Sequence, residues 1–286
     1  MYTTLKEVTS RAEELNFTVG AFNTHNLEML PSLIHAAKEQ GAPIIIQTSI
    51  DTAKYIGHEN LVAICKSMAT KNMVDVVLHL DHAREFDDIK EAIDKGYTSV
   101  MFDGSHLPFK ENIMKTRAVV EYAHKHGVSV EGEIGTIGGT EEGIHVDEDN
   151  KVYTDPKDAV EFVKATGVDA LAIAIGTNHG QYKSKTEVNI PLLKEINALV
   201  DVPLVIHGGT GVNEKDIHKL IDNGIRKFNV GTELLVAWTK KAKETFGETK
   251  ENKSLRHNII PCNDAVKEIV KHKIGIFMNK EDLINK

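Results

Sequence analysis

The chain has 286 residues, of which 41% are hydrophobic and 27% are charged, and its formal net charge is −8. This length fits one large domain with a substantial apolar core and a solvated surface. The negative charge, together with the absence of a long Lys/Arg run, argues against a nucleic-acid partner, because binding a phosphate backbone requires clustered positive charge.

The N-terminal segment MYTTLKEVTSRAEELNF has the pattern of an amphipathic helix and lacks the apolar stretch of a signal peptide. No apolar run approaches the ~20 residues that are required to cross a bilayer. Cys65 and Cys262 form no CxxC pair, so we expect no disulfide framework. These features predict a cytoplasmic protein that does not interact with a membrane.

Short β-branched runs alternate with longer stretches of helical spacing along the whole chain. The runs are TVGAFNTH (18–25), PIIIQTS (43–49), DVVLHLDH (75–82), SVMFDGS (99–105), VSVEGEIG (128–135), ALAIAIGT (170–177), PLVIHGG (203–209) and KFNVGT (227–232). Several of these runs are apolar almost continuously, which is typical of parallel strands that are buried on both faces.

The stretches between the runs predict helices that end at a glycine, which is the usual residue of a left-handed helix cap. Eight strand–helix units in a chain of this length favour an α/β fold of the (β/α)8 barrel type over an open parallel sheet, because an open sheet would require two blunted edge strands. We therefore predict a single barrel domain over residues 1–286, with extra helices in the tail after about Ala237. The helical stretches are Leu27 to Gln40, Asp87 to Lys95, Glu111 to His126, Pro156 to Thr166 and Glu214 to Asn223.

The predicted strand ends carry many polar residues, and in a barrel of this kind the working face lies at the C-terminal ends of the strands. His82, His179 and His207 stand at or just past the ends of three strands. Three imidazoles with an open position form a catalytic zinc site, so these residues are the candidate ligands. His79 shares a strand face with Asp81, and we interpret it as a residue of the core or of the surroundings of the metal.

The turns after the seventh and eighth strands predict a phosphate site, which is where such barrels bind phosphate. Gly208, Gly209 and Gly211 allow backbone N–H groups to approach an anion, and Thr210 and Thr232 add hydroxyl donors. Schiff-base chemistry would instead require an inward lysine at a strand end. No strand end has one, and we place Lys227, at the start of the eighth run, on the wrong face for such a role.

Four motifs together resemble the class II, zinc-dependent ketose-bisphosphate aldolases. They are HLDH (79–82), VEGEIGTIGGTEEG (130–143), GTNHGQY (176–182) and IHGGTG (206–211), and the resemblance runs in order from about Thr3 to about Lys273. The segments AFNTHNLE, DGSHLPF and YTDP look most like the tagatose-bisphosphate aldolase branch, with the fructose-bisphosphate branch next.

The resemblance implies roles for residues of the metal site and for two proton-transfer carboxylates. His82, His179 and His207 match the zinc ligands, and Asp103 and Glu133 match carboxylates around an alternative metal position. Asp81 matches the general acid/base that exchanges a proton with the C4 hydroxyl. Glu141 matches the carboxylate that transfers a proton at the enediolate carbon of the three-carbon fragment. Its neighbour Glu142 is the weaker candidate.

The resemblance also implies a substrate pocket for a sugar phosphate. The pocket for dihydroxyacetone phosphate, which a monovalent cation (Na⁺ or K⁺) assists, corresponds to Gly180, Gly208, Gly209, Thr210, Asn229 and Thr232. Ser49 and Arg256 match residues that hold the distal phosphate, and the arginine often comes from a neighbouring subunit. We therefore expect a homodimer or homotetramer, and the tagatose branch allows for an accessory subunit. Asn23, Val230 and Gly231, at the ends of the first and eighth strands, complete the candidate substrate-binding set.

Three departures from the family pattern fall on the distal half of the pocket. Gly231 stands where the fructose branch carries Asp or Asn and the tagatose branch carries Ala. The second strand ends QTSIDTAKY (47–55), and Arg256 follows Ser254 and Leu255 in place of the Asp-Pro that often precedes this arginine. The small residue at 231 favours tagatose 1,6-bisphosphate over fructose 1,6-bisphosphate. A distal sulfonate, as in 6-sulfofructose 1-phosphate, is also compatible.

Two other classes of function remain open from the sequence. A metal-dependent barrel hydrolase would use similar histidines and carboxylates to activate water, but it has no reason for a phosphate turn after strands seven and eight. A non-catalytic sugar-phosphate binding protein would be favoured by the loss of a zinc ligand or of Asp81, and all of these residues are present.

Overall fold

The computed structural model describes residues 1–141, 144–146, 152–180, 187–247 and 254–279. Its helices confirm the predicted helical stretches, and the five predicted stop glycines all have positive φ. The helices are α1 (Leu5–Leu15), α2 (Leu30–Gln40), α3 (Ile50–Ile56), α4 (His58–Asn72), α5 (Phe86–Lys95), α6 (Phe109–Lys125), α7 (Pro156–Thr166), α8 (Ile190–Asn197), α9 (Glu214–Ile221), α10 (Thr232–Gly247) and α11 (Arg256–Phe277).

Eight parallel strands close into a barrel in the order β1-β2-β3-β4-β5-β8-β10-β11, and β11 pairs again with β1. Each strand coincides with one of the eight runs read from the sequence, so the predicted (β/α)8 barrel is confirmed. The barrel strands are β1 (Val19–Asn23), β2 (Ile44–Thr48), β3 (Val76–Ala83), β4 (Ser99–Phe102), β5 (Ser129–Ile134), β8 (Ala170–Ile173), β10 (Leu204–Ile206) and β11 (Ile225–Val230).

The first helix closes the N-terminal end of the barrel. Thr4 and Glu7 form a capping box that fixes the start of α1. Leu5, Val8 and Ala12 of this helix are buried against the inward side chains nearest the N-terminal ends of the strands, which are also apolar. Burial of this apolar surface ties α1 to the barrel, so the polar site can be built only at the opposite end.

One small sheet lies outside the predicted elements, and the predicted extra helices of the tail are present. A small sheet of β6 (Gly138–Glu141), β7 (Ile144–Val146) and β9 (Asn178–His179) stands after the ends of β5 and β8. At the other end of the chain, α11 packs against α2 and α10, and the N–H of Thr18 donates to the carbonyl of Phe277 at 3.0 Å. In the described part of the chain, no helix is both long and apolar enough to span a membrane.

Candidate active site

The interior of the barrel changes from apolar to polar along its axis. Strand register places Asn23, Gln47, His79 and Ser99 side by side across four neighbouring strands. The amide of Gln47 donates to Asn23 Oδ1 at 2.7 Å, and His79 Nδ1 lies 2.8 Å from Ser99 Oγ. These side chains are buried, so their hydrogen bonds replace the water that they lose on folding.

An extra residue in β3 brings two consecutive side chains to the site. Between Leu80 and Ala83 the pairing with β4 shifts by one residue, and His82 has a φ of +47°, which is uncommon for a residue other than glycine. In a regular strand, Asp81 and His82 would point to opposite faces. The bulge turns both towards the interior, and β3 continues through Ala83, one residue past the predicted run.

Two amide side chains hold the carboxylate of Asp81. Asn23 Nδ2 donates to Asp81 Oδ2 at 3.1 Å, and Asn229 Nδ2 donates to Asp81 Oδ1 at 3.5 Å. Asp81 is only 2% exposed. Because both amides lie on strands adjacent to one another in the closed barrel, the carboxylate has a fixed position at the end of β3.

The imidazole of His207 lies between two carboxylates at the end of β10. Its Nε2 is 2.8 Å from Glu131 Oε1, and its Nδ1 is 3.2 Å from Glu133 Oε2. Burial by itself lowers the pKa of His207, but the hydrogen bonds to Glu131 and Glu133 outweigh it and raise the pKa to about 9. Burial likewise raises the pKa of Glu131, yet the Lys227 ammonium and His207 hold that pKa well below its usual range.

Two overlapping groups of side chains fit a metal ion, and both contain His82. One group joins Asp81, His82 and His207, and the other joins His82, Asp103 and Glu133; within each group the ligand atoms lie within 4.8 Å of one another. The rings of His82 and His207 are 4.6 Å apart between centroids. Imidazole and carboxylate donors at this spacing match the ligand set of zinc.

The third predicted ligand, His179, has a described backbone but no described side chain. It forms part of β9, which pairs with Gly138 and Gly139 at the mouth of the barrel. Asn178, directly before it, runs beside Gly208, because a Cβ on Gly208 would lie 2.1 Å from the Asn178 carbonyl oxygen. The backbone of β9 thus lies next to the end of β10, which carries His207.

The turn after β10 contains two glycines with positive φ, a conformation that residues with a Cβ rarely adopt. Gly208 has a φ of +67° and Gly211 a φ of +92°. The N–H of Gly209 donates to the Asn229 carbonyl at 3.1 Å, so this group links the two turns and is not directed to an anion as we had expected. Gly208, Gly211 and Thr210 remain the candidates for phosphate contacts in this turn.

Comparison with known proteins identifies the family of the chain. The family model described as fructose-bisphosphate aldolase class-II matches residues 3–282. The chain belongs to the class II fructose-bisphosphate aldolase family. A fructose-bisphosphate aldolase of Staphylococcus aureus (strain Mu50) is 42% identical to this aldolase over 276 residues and is covered over 96% of each chain.

Solved structures agree with this family. The YdjI aldolase from Escherichia coli K12 superposes with a TM-score of 0.85 at 35% identity and is covered over 97% of each chain. A putative fructose-1,6-biphosphate aldolase from Coccidioides immitis gives a TM-score of 0.86 at 29% identity over 96% of each chain. The predicted family and its carbon–carbon lyase activity on sugar phosphates are confirmed, which sets aside the hydrolase and binding-protein alternatives. The tagatose branch stays a prediction.

The aldolase contains one residue that we placed wrongly from the sequence. Lys227 is fully buried inside the barrel, on the same face of β11 as Asn229, and not on the opposite face. Its Nζ lies 2.8 Å from Glu131 Oε2 and donates to Asn229 Oδ1 at 2.7 Å. Alternation along β11 from Asn229 would have predicted this direction. The ion pair and the complete burial still argue against a Schiff base, which requires an accessible neutral amine.

Arg84 was not singled out from the sequence, although it follows the HLDH motif by two residues. Its Nε and Nη2 donate to Asp103 Oδ2 at 3.1 and 2.9 Å, and Ser105 donates to Asp103 Oδ1. His82 Nδ1 lies 3.4 Å from the same Asp103 Oδ2. Burial by itself raises the pKa of Asp103, but the contacts with His82, Ser105 and Arg84 hold it far below its usual range.

The remaining candidates lie outside this cluster or outside the described side chains. Ser49 caps α3 and bonds Thr52, and Arg256 is exposed at the start of α11, where its guanidinium donates to Ser254. Val230 packs its side chain into the core between barrel and helices, so only its backbone can face a substrate. Gly180 follows β9, Gly231 lies between β11 and α10, and Thr232 is the first residue of α10. The side chain of Glu141 and the whole of Glu142 lie outside the described part of the chain.

Proposed function

We propose that this aldolase cleaves a ketose 1,6-bisphosphate by a zinc-dependent retro-aldol reaction, releasing dihydroxyacetone phosphate and an aldehyde such as glyceraldehyde 3-phosphate. The observation that carries the proposal is the convergence of Asp81, His82 and His207 at one end of the barrel. His82, His207 and His179 would hold zinc, and Asp103 and Glu133 would surround an alternative position. Bound there, zinc supplies a Lewis acid that polarises the ketose carbonyl.

The residues of the chain would move the protons of the reaction. Asp81 accepts the proton of the C4 hydroxyl as the C3–C4 bond breaks, and C4 becomes the aldehyde carbon. The electron pair of that bond stays on the three-carbon fragment. Glu141 then delivers a proton to C3, which completes dihydroxyacetone phosphate. Asn23 and Asn229 support this role of Asp81, because their amides hold its carboxylate in place.

The turns after β10 and β11 would bind the phosphate on C1. Gly208 and Thr210 after β10, together with Thr232 at the start of α10 and Gly180 after β9, would offer backbone and hydroxyl donors. A monovalent cation, Na⁺ or K⁺, would balance the charge. Gly209 would act through its link to Asn229. The distal phosphate would be held by Ser49 and by Arg256. Arg256 would reach the site from a second copy in a homodimer or homotetramer, because it is exposed on its own chain and its guanidinium donates there to Ser254.

Gly231 supports tagatose 1,6-bisphosphate as the preferred substrate. A Cβ at this position would lie 2.7 Å from Asn23 Oδ1, so a side chain here would press on the amide that holds Asp81. The absence of a side chain at Gly231 leaves room beside Asp81, which would exchange a proton with the C4 hydroxyl. C4 is the centre at which tagatose and fructose differ. Fructose 1,6-bisphosphate is the second candidate, and the names of the relatives favour it.

The test measures dihydroxyacetone phosphate with a coupled enzyme, from tagatose 1,6-bisphosphate, fructose 1,6-bisphosphate and 6-sulfofructose 1-phosphate. Each assay is run after chelation and again after zinc is restored, in sodium and in potassium buffers. We expect cleavage that is lost on chelation and returns with zinc, with kcat/KM highest for the tagatose substrate. Gly231→Asn should shift the ratio towards the fructose substrate.

A matched pair of variants separates the metal from the fold. His82→Ala should lose zinc and activity, whereas His124→Ala should keep both, because His124 pairs with Asp169 at the opposite end of the barrel. Cleavage that survives chelation and is trapped by borohydride would contradict the zinc mechanism. A kcat/KM that is higher for fructose 1,6-bisphosphate would overturn the substrate preference and leave the reaction intact.

A further inference from the structure

Lys227 is a charged side chain that the proposed reaction does not use, although it lies directly beneath the site. It is fully buried on β11, and its ammonium contacts Glu131 and Asn229. Replacing a buried ion pair by well-packed apolar residues often stabilises a protein, because desolvation of the charges opposes their attraction. Fold stability therefore gives little reason for a lysine at this position.

The first contact of Lys227 leads to a predicted zinc ligand. Glu131 is bound on both oxygens: Oε2 lies 2.8 Å from Lys227 Nζ, and Oε1 lies 2.8 Å from His207 Nε2. A carboxylate can only accept, so this contact places a proton on Nε2. Nδ1, which lies 3.2 Å from Glu133 Oε2, is then the nitrogen that would bind a metal in place of that contact. Histidine ligands commonly donate their second N–H to a carboxylate in this way. On Oε2 the position of Glu131 depends on Lys227, since the other group that faces this oxygen, His79 Nε2, lies farther away at 3.7 Å.

The second contact leads to the proposed general acid/base. Lys227 donates to Asn229 Oδ1 at 2.7 Å, and Asn229 Nδ2 donates to Asp81 Oδ1 at 3.5 Å. An ammonium has only donors, so the carbonyl oxygen of the Asn229 amide must face it. The NH₂ group must then face Asp81, and a flipped amide would direct its oxygen at that carboxylate.

We propose that Lys227 is a positioning residue, which orients the zinc ligand His207 through Glu131 and the Asn229 amide that contacts Asp81. This inference rests on the proposed zinc-dependent function. Its distinctive feature is that one ammonium fixes both the metal side and the proton-transfer side of the site. Removing it should weaken zinc binding and slow the chemical step together, while substrate binding at the phosphate turns is little changed.

The test compares Lys227→Met with Arg226→Met. Arg226 is the neighbouring buried cation on the same strand, but it faces outward and pairs with Glu13. Zinc affinity is measured by titrating the metal-free protein against a chromophoric chelator, and kcat and KM are measured after saturation with zinc. We expect Lys227→Met to bind zinc about 10- to 100-fold more weakly, and to lower kcat at least about 10-fold with KM changed less than about threefold. Arg226→Met should match wild type in all three quantities.

A double-mutant cycle with Glu131→Gln tests whether Lys227 acts on zinc binding through Glu131. If Lys227 acts on the metal through Glu131, the double variant should bind zinc no more than about threefold more weakly than Glu131→Gln alone. If Lys227→Met does not fold, Lys227→Gln decides the question, because its amide keeps hydrogen-bond donors without the charge. We then expect zinc binding at least about fivefold weaker than wild type.

Two results would overturn the inference. One is zinc affinity and kcat in the folded Lys227 variant within about threefold of wild type, and the other is an equal loss in Arg226→Met, which would mean that any buried charge on this strand matters equally. Wild-type protein that binds no zinc would instead overturn the proposed function. The zinc titration needs no substrate, so it distinguishes these two failures.

Discussion

Gly208→Ala is the substitution for which the structure predicts the sharpest loss of function from the smallest change. Gly208 follows His207 and has a φ of +67°, in the left-handed region that residues with a Cβ rarely adopt. An added Cβ would lie 2.1 Å from the carbonyl oxygen and 2.4 Å from the carbonyl carbon of Asn178. These are backbone atoms of the residue before His179, so they cannot move aside like the end of a flexible side chain.

The magnitude follows from two separate costs. The left-handed conformation costs about 1–2 kcal/mol for alanine relative to glycine. The Cβ requires at least 3.0 Å from its neighbours, so the Asn178 backbone must retreat by about 0.9 Å. A displacement of about 1 Å in a catalytic arrangement lowers the rate about 100-fold. We therefore expect Gly208→Ala to lower kcat/KM about 100-fold and to weaken zinc binding, since His179 would move with Asn178.

Gly41→Ala is the matched control. Gly41 has a φ of +62°, almost the same as Gly208, but nothing lies within 4 Å of its added Cβ. It follows α2 at the end of the barrel opposite the site, so the control pays the conformational cost without the collision. Thermal unfolding, zinc titration and kcat/KM are measured on both variants. Gly41→Ala should lose about 1–2 kcal/mol of stability and keep wild-type activity.

The comparison can fail in two distinguishable ways. If Gly208→Ala binds zinc and turns over substrate as wild type does, β9 does not hold part of the site in the arrangement described. If Gly41→Ala loses as much activity as Gly208→Ala, the loss arises from backbone strain in general, and the contact with Asn178 is not its cause.

Three further predictions concern single side chains of the site. Burial lowers the pKa of His79 to about 3 in the folded protein, whereas the pKa of this histidine is about 6.5 in the unfolded chain. Because the unfolded state binds the proton first, the free energy of unfolding falls as the pH drops below about 6.5. At pH 5 this loss is about 2 kcal/mol. His79→Gln should remove that part of the acid sensitivity, seen as a smaller change in unfolding free energy between pH 7 and pH 5, and an unchanged difference would refute the assignment. Asp81→Asn should lower kcat about 10²- to 10⁴-fold while zinc content by atomic emission stays at wild-type level, and near-normal turnover would exclude Asp81 as the general acid/base. Arg84→Met should weaken zinc binding less than about 10-fold, because solvent can partly replace a guanidinium that is 35% exposed; a larger loss in the chelator titration would contradict this.

The barrel could be predicted from the sequence because its strands carry two independent signals. Each run is apolar along most of its length, and each ends in polar residues at its C-terminal end, so these residues collect at one end of the barrel. His207 shows both signals, since it directly follows the buried β10 (Leu204–Ile206). Only a closed barrel brings such strand ends together, so the fold and the general location of the site followed from one pattern.

Other features could not be predicted because they depend on backbone geometry that residue types do not encode. The bulge at His82 adds one residue to β3, and nothing in HLDH distinguishes a bulged strand from a regular one. The engagement of the Gly209 N–H with Asn229 depends on how two turns meet. Lys227 is a different case: we placed it on the wrong face, although alternation along β11 from Asn229 predicts its inward direction.

Each histidine of the cluster contacts a carboxylate, and each of these carboxylates contacts a cationic side chain in turn. His207 is fixed through a carboxylate by Lys227, which is fully buried, whereas His82 is fixed through Asp103 by Arg84, which is partly exposed. An ion pair in the low dielectric of the interior is stronger and less screened than one at the rim. The position of His207 is therefore determined by charge within the barrel. That of His82 is determined chiefly by the bulge in β3, which holds its backbone at a φ of +47° where charge alone would not.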